Sequence, residues 1–176
     1  MDNLEKPEAE KLGWRRVETR YLFRSRWYNL RQDVLDVANT GERTYTYIDH
    51  PGAVFVVPIT AEKDFLLIHS YRYPTDRHYW EIPAGSLGDH AGESPEAIAA
   101  RELREEAGAT AERFIPLGQF DWSNGIADMK THFFLATGVR VTHPGQLEEL
   151  EAIDTVKFHP MEEVRRMMAE GLISDG

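Results

Sequence analysis

Three glutamates, Glu102, Glu105 and Glu106, fall within five consecutive positions of the stretch RELREEAG, residues 101–108, together with Arg101 and Arg104. On a helix of about 3.6 residues per turn their carboxylates share one face, inside an arc of roughly 100°. Like charges so placed repel by about a few tenths of a kcal/mol per exposed pair. A hard divalent cation between them removes that cost. Ligands that are all oxygen suit Mg²⁺ or Mn²⁺, which keep several waters and bind substrate phosphates. The competing reading is a solvated acidic stripe without chemistry. Against it stand a glycine-rich loop entering the stretch, whose backbone oxygens lie beside the carboxylates in sequence, and Arg101, four residues before Glu105 and so able to orient it.

The elements that must carry these groups follow from local signals. Ser94 is a good N-cap, Pro95 a good first helical residue, Glu96 suits the positive helix start, and Gly108 is a terminator, which predicts a helix over 95–107. Ala99, Leu103 and Ala107 lie on its core face, while Ile98 projects among the carboxylates. The preceding segment PAGSLGDHAGE, residues 83–93, reads as an irregular loop because of its glycines and proline. Upstream, 17–23, 29–37 and 42–48 read as strands, the last two as a hairpin about the turn signal NTG; 53–59 and 65–69 read as a more buried hairpin. HYWEI at 78–82 is a short strand, and 113–120, 130–142 and 155–159 return to strand character. Residues 160–171 read as an amphipathic helix with Met161, Val164 and Met168 on one face, and residues 1–13 as a loosely docked arm. Strands interspersed with helices indicate an α/β (α+β) sandwich in which helices cover a mixed sheet.

Composition excludes several classes of function. Twenty basic against 30 acidic residues give a net charge of −10, which argues against binding nucleic acid or an anionic membrane. No cysteine is present, so disulfides, thiolate metal sites and a cysteine nucleophile are all absent. The N-terminus lacks an apolar signal core, and the longest apolar stretch, 53–59, is too short to span a bilayer. The expectation is a soluble, cytoplasmic protein.

At this point the residues resemble a known family, the Nudix hydrolases, whose signature runs glycine, five residues, glutamate, seven residues, then Arg-Glu-aliphatic-any-Glu-Glu-any-Gly-aliphatic. Glu93, the seven residues after it and RELREEAGA at 101–109 match the second part at every specified position, with Ala109 a weak aliphatic. The first part departs from it: Leu87 occupies the glycine position, and Gly85 is the equivalent residue if the loop carries a two-residue insertion. SYRYPTDRHYWEIPAG, residues 70–85, is similar to the ADP-ribose and nucleoside-diphosphate-sugar pyrophosphatase branch. The resemblance covers roughly residues 17–172.

The resemblance implies a Nudix-type α/β/α sandwich over 49–176, preceded at 1–48 by an arm and an antiparallel β-region that mediates homodimerisation. It also implies hydrolysis of a pyrophosphate linkage in a nucleoside diphosphate-linked small molecule, ADP-ribose or a related nucleotide sugar, by water attack on phosphorus. Mg²⁺ or Mn²⁺ would be held by Glu102 and Glu106, with Glu105, Glu93 and the carbonyl of Ala84 assisting, and Arg101 would be structural. The general base would come from the acidic run Glu148, Glu149, Glu151 and Asp154, with Glu151 first and Glu149 next. Arg72 beside Tyr71 would grip a phosphate or the terminal ribose. Trp27 and Tyr28 would stack on the base across a dimer or pack in an interface. Glu81, with Trp80, falls at a strand end facing the site, although Trp80 also reads as core. GLISDG at the C-terminus resembles the start of a segment that runs further in many relatives.

Three other readings stay open: a nucleotide-sensing regulator of the same fold without hydrolysis, a hydrolase of nucleoside triphosphates, CDP-alcohols or a coenzyme diphosphate, and an acidic calcium buffer. The box glutamates, all retained, weigh against the first. The absence of a calcium-loop aspartate pattern weighs against the last.

Overall fold

The computed structural model describes residues 5–38, 40–90, 92–147 and 152–174. Its elements are α1 (Pro7–Lys11), β1 (Trp14–Arg24), β2 (Asn29–Val37), β3 (Gly41–Asp49), β4 (Ala53–Ile59), β5 (Phe65–Arg72), β6 (Arg77–Glu81) and β7 (Ala84–Ser86). There follow α2 (Pro95–Ala107), β8 (Ala109–Thr110), β9 (Arg113–Asp121), β10 (Ala127–Asp128), β11 (Lys130–Thr137), β12 (Arg140–Val141), β13 (Ile153–His159) and α3 (Met161–Ala169). They form two compact units, one from residues 1–51 with Asp121–Met129, the other from Gly52–Phe120 with Lys130–Gly176. Among the described residues, no helix is long and apolar enough to cross a membrane.

In the first unit, β1, β2 and β3 form an antiparallel meander, and β10 adds in parallel to the end of β3. The expected hairpin is β2–β3, closed where Gly41 takes φ +73°. The N-terminal segment departs from the expected arm: Pro7 opens the short α1, and Lys6 Nζ lies 3.1 Å from Asp128 Oδ2. Within this sheet lies a charged network whose central ion pair is buried. Arg31, 1% exposed, donates from Nε and Nη2 to the two oxygens of Asp33, each at 3.0 Å. The Tyr47 and Thr19 hydroxyls donate to the same carboxylate at 3.0 and 2.7 Å.

Burial alone would raise the Asp33 pKa; the hydrogen bonds from Arg31 and Thr19 outweigh it and hold it below its ordinary value. Burial is the main reason the Tyr47 phenol is pushed up.

The second unit is built on a seven-stranded mixed sheet in the order β13-β5-β4-β11-β9, with β6 on β5 and β7 on β4. β11 runs parallel to β4, from Thr131↔Ala53 to Thr137↔Ile59, and both pack as interior strands. Successive residues of β5 point to opposite faces. Leu66 and Ile68 join Ile98, Ala99, Leu103 and Ala107 of α2, whereas Leu67 joins Val164 and Met167 of α3. The result is the expected α/β/α sandwich.

Three details differ from the sequence reading. Residues 83–93 are not wholly irregular, because β7 pairs with β4 and Leu87–His90 form a 3₁₀ turn; an available strand edge overrides the weak strand preference of glycine. The strand expected over 130–142 breaks at Gly138, φ +67°. On α3 the buried residues are Val164 and Met167, while Met161 and Met168 are exposed.

Asp33→Ala leaves the Arg31 guanidinium buried without its carboxylate, and urea denaturation should show a loss of about 3–5 kcal/mol. In the parent the depressed pKa of Asp33 gives stability that is complete above the ordinary carboxylate range and is lost as pH falls through the lowered value. The Asp33→Ala variant should lack that acid-side slope.

Candidate active site

The helix that carries the glutamates starts and stops where its caps dictate. Ser94 Oγ accepts from the Ala97 amide at 3.2 Å, Pro95 occupies the first turn, and Gly108 takes φ +61° while its amide donates to Arg104 O at 3.0 Å. Within this frame Ile98, Glu102 and Glu106 recur every fourth residue, and all three are buried, the glutamates at 7% and 6% exposure. A solvated acidic stripe would expose them. Only Glu105 fits that description in part, with its side chain one-third exposed and Arg104 at 3.9 Å.

Strand β7 holds the buried pair from the other side. The Ala84 amide donates to Glu106 Oε2 at 2.9 Å. Gly85 lies so close to Glu102 that a β-carbon would overlap its carboxylate, which gives this glycine a steric reason to be where it is. At Ala84 the contact with Glu106 is made by the N–H. Arg101 differs from its expected partner: its guanidinium pairs with Glu93, whose carboxylate raises the arginine's pKa by hydrogen bonding, and not with Glu105. Arg101 thereby ties the glutamate at the loop's end to the first half of the helix.

Arg72 and Glu81 form one unit. Arg72 Nε donates to both Glu81 oxygens, at 3.1 and 3.0 Å, with Glu81 buried and the Arg72 side chain half-exposed. Both stand on the face of the sheet that α2 covers, since Arg72 is in phase with Leu66 and Ile68, and Glu81 is opposite Ile68. Tyr71 is on the other face. Its hydroxyl donates to Asp76 Oδ1 at 2.9 Å, which raises its pKa, and its ring packs on His78. Trp80 shares that far face, where it packs with the α3 cluster, His69 and His159.

Of the acidic run expected to supply a base, Glu148, Glu149 and Glu151 lie outside the described residues. Asp154 is described, at a register shift between Ile153 and Thr155 that aims it at two histidines: Oδ1 is 2.8 Å from His69 Nδ1, and Oδ2 3.7 Å from His78 Nε2. The hydrogen bond with His69, followed by that with Thr155, lowers its pKa. The sequence held no signal for this grouping, because it joins three strands across their diagonals. Trp27 and Tyr28 belong to the first unit, where both are exposed, with the Arg26 guanidinium 4.4 Å above the Trp27 ring and Phe23 against Tyr28.

A Nudix-domain family model matches residues 49–173. The chain belongs to the Nudix family. Among curated relatives, this Nudix chain is 35% identical over 146 residues to an ADP-ribose pyrophosphatase of Mycobacterium tuberculosis (strain ATCC 25618 / H37Rv), covering 83% of the chain and 70% of the relative. It is 32% identical over 160 residues to a methanol dehydrogenase activator of Bacillus methanolicus, covering 90% and 85%. To an ADP-ribose pyrophosphatase of Bacillus subtilis (strain 168) it is 40% identical over 117 residues, covering 66% and 60%. A crystal structure of an ADP compounds hydrolase shares the fold with a TM-score of 0.75 at 22% identity, over 92% of this chain and 86% of the other.

Members of the Nudix family generally use divalent metals, and the residues present suit one. Glu102 and Glu106 are hard oxygen donors brought together one helical turn apart and sheltered by β7, which matches the preference of Mg²⁺ for one or two carboxylates with retained waters. Among the described residues no three acidic or histidine side chains form a ready-made cage.

Gly85→Ala should displace Glu102 without disturbing the α2 core. Circular dichroism should remain that of the parent while metal-dependent turnover falls by on the order of tenfold or more.

Proposed function

We propose that this protein hydrolyses the pyrophosphate linkage of ADP-ribose or a related nucleotide sugar by attack of water on phosphorus. The observation that carries the reading is the buried pair Glu102 and Glu106, held against Gly85 and the Ala84 amide within the fully matched second part of the family signature. The names of the mycobacterial and Bacillus subtilis relatives support the substrate class. A bound Mg²⁺ or Mn²⁺ would neutralise the diphosphate and activate the attacking water. The protein's own groups do the rest. Glu102 and Glu106 are its main ligands, with Glu105, Glu93 and the Ala84 carbonyl in support, and Arg101 positions Glu93. Arg72, its guanidinium oriented by Glu81, offers a planar fork to the substrate's phosphate or terminal ribose. Glu151, or failing it Glu149, supplies the base, and the reaction is cytoplasmic.

The protein acts as a homodimer joined through the first unit. Leu22 and Phe23, both 52% exposed, Val17 at 48% and Ile126 at 56% give that unit an apolar surface, and Trp27 and Tyr28 extend it where stacking on a base across the dimer becomes available.

Presented with ADP-ribose, sugar nucleotides, CDP-alcohols and nucleoside triphosphates in Mg²⁺, the protein should favour ADP-ribose or a sugar nucleotide, giving AMP and ribose 5-phosphate from the former. Glu106→Gln should cut that turnover by on the order of a hundredfold with its fold intact; turnover equal to the parent's would remove the ligand assignment. Light scattering should report a dimer for the parent and a shift toward monomer for Leu22→Glu combined with Phe23→Glu.

A further inference from the structure

The last turn of α2 is held from outside the helix. β12 returns antiparallel to β8, with Val141↔Ala109 and Arg140↔Thr110, and the chain then wraps the helix end. Thr142 N and His143 N both donate to Gly108 O, at 2.9 and 3.2 Å, and Gln146 N donates to Glu105 O at 2.7 Å. The last carbonyls of a helix have no partner within it, so this contact satisfies Glu105 O with an amide 41 positions along the chain. Gly145 makes the approach feasible: a β-carbon there would lie 2.7 Å from Glu105 O and 3.1 Å from Glu106 O, nearer the first than real β-carbons come. Gly108 is constrained from the opposite side, where a β-carbon would overlap His143 O. Segment 140–146 and the helix end are therefore mutually fitted at backbone level.

We infer that Gly145 and the Gln146 amide are positioning elements for the metal site, fixing the turn from which Glu105 and Glu106 project. Glu106 accepts at its carboxylate from Ala84 N, while the clasp bonds the carbonyl of the preceding Glu105, so the side chain is fixed at its tip and the turn that carries it is fixed from outside the helix. A side chain at 145, or loss of the amide at 146, frees the last turn and spreads the carboxylates without removing any ligand. The inference rests on the metal reading above, and the two fail differently.

The test is Mn²⁺ binding by the full-length protein, without substrate, read from the electron paramagnetic resonance signal of free Mn²⁺. Gly145→Ala and Gln146→Pro should each weaken binding by on the order of tenfold, in the range known for groups that orient metal ligands. In the activity assay kcat should fall while KM changes little. Gly125→Ala, where an added β-carbon meets nothing, should match the parent. Folded variants that bind Mn²⁺ as the parent does would overturn the inference, provided Glu106→Gln weakens binding; parental binding by Glu106→Gln instead overturns the metal assignment itself. If both variants fail to fold, hydrogen exchange of the parent decides: Mn²⁺ should slow exchange at the Gln146 amide, and an unchanged rate would refute the coupling.

Discussion

Two carboxylates held out of water on one helix face are the constraint around which the second unit is arranged. Ionised groups that are buried are costly unless hydrogen bonds or cations compensate. Here the compensation begins with β7, whose Ala84 amide reaches Glu106 and whose Gly85 makes room for Glu102. β7 is in place because it pairs with β4, and α2 because Ile98, Ala99, Leu103 and Ala107 pack on the same sheet. Core and site are thus one construction, with Ile98 in the apolar cluster on the same helical stripe as the two glutamates. A metal ion suits such a place because two hard oxygen donors stand there one helical turn apart.

Much of this was legible in residue order. The span of α2, its Ser94 cap and its Gly108 terminator are local chemistry, and local chemistry is written in consecutive residues. The box spacing is likewise a helical periodicity. What the order of residues left open is which of two equivalent neighbours faces inward. Met167 and Met168 are three and four positions from Val164, both compatible with one face, and packing alone selects Met167. Arg101 could reach along its helix to Glu105 or back to the loop, and tertiary placement selects Glu93.

Parity decided other positions. Adjacent residues of a strand point to opposite sides, so Tyr71 and Arg72, neighbours in sequence, are separated by the sheet itself. The same rule sends Trp80 to the α3 side and Glu81 to the α2 side. The sequence reading held both possibilities for Trp80, because an aromatic at a strand end serves a core as readily as a site. The grouping of His69, His78 and Asp154 depends on a bulge in β13, which no periodicity announces.

One topological detail bears on how such a chain can be divided. The segment carrying β10 leaves the second unit after β9, completes the edge of β3 in the first, and returns as β11. Each unit therefore contains sequence that the other interrupts. A cut near residue 51 would not yield two independent modules: the N-terminal piece would lack its fourth strand, and the remainder would retain a nine-residue excursion with no sheet to join. Recombination that exchanged only the front of the gene would have to bring the matching excursion from its middle.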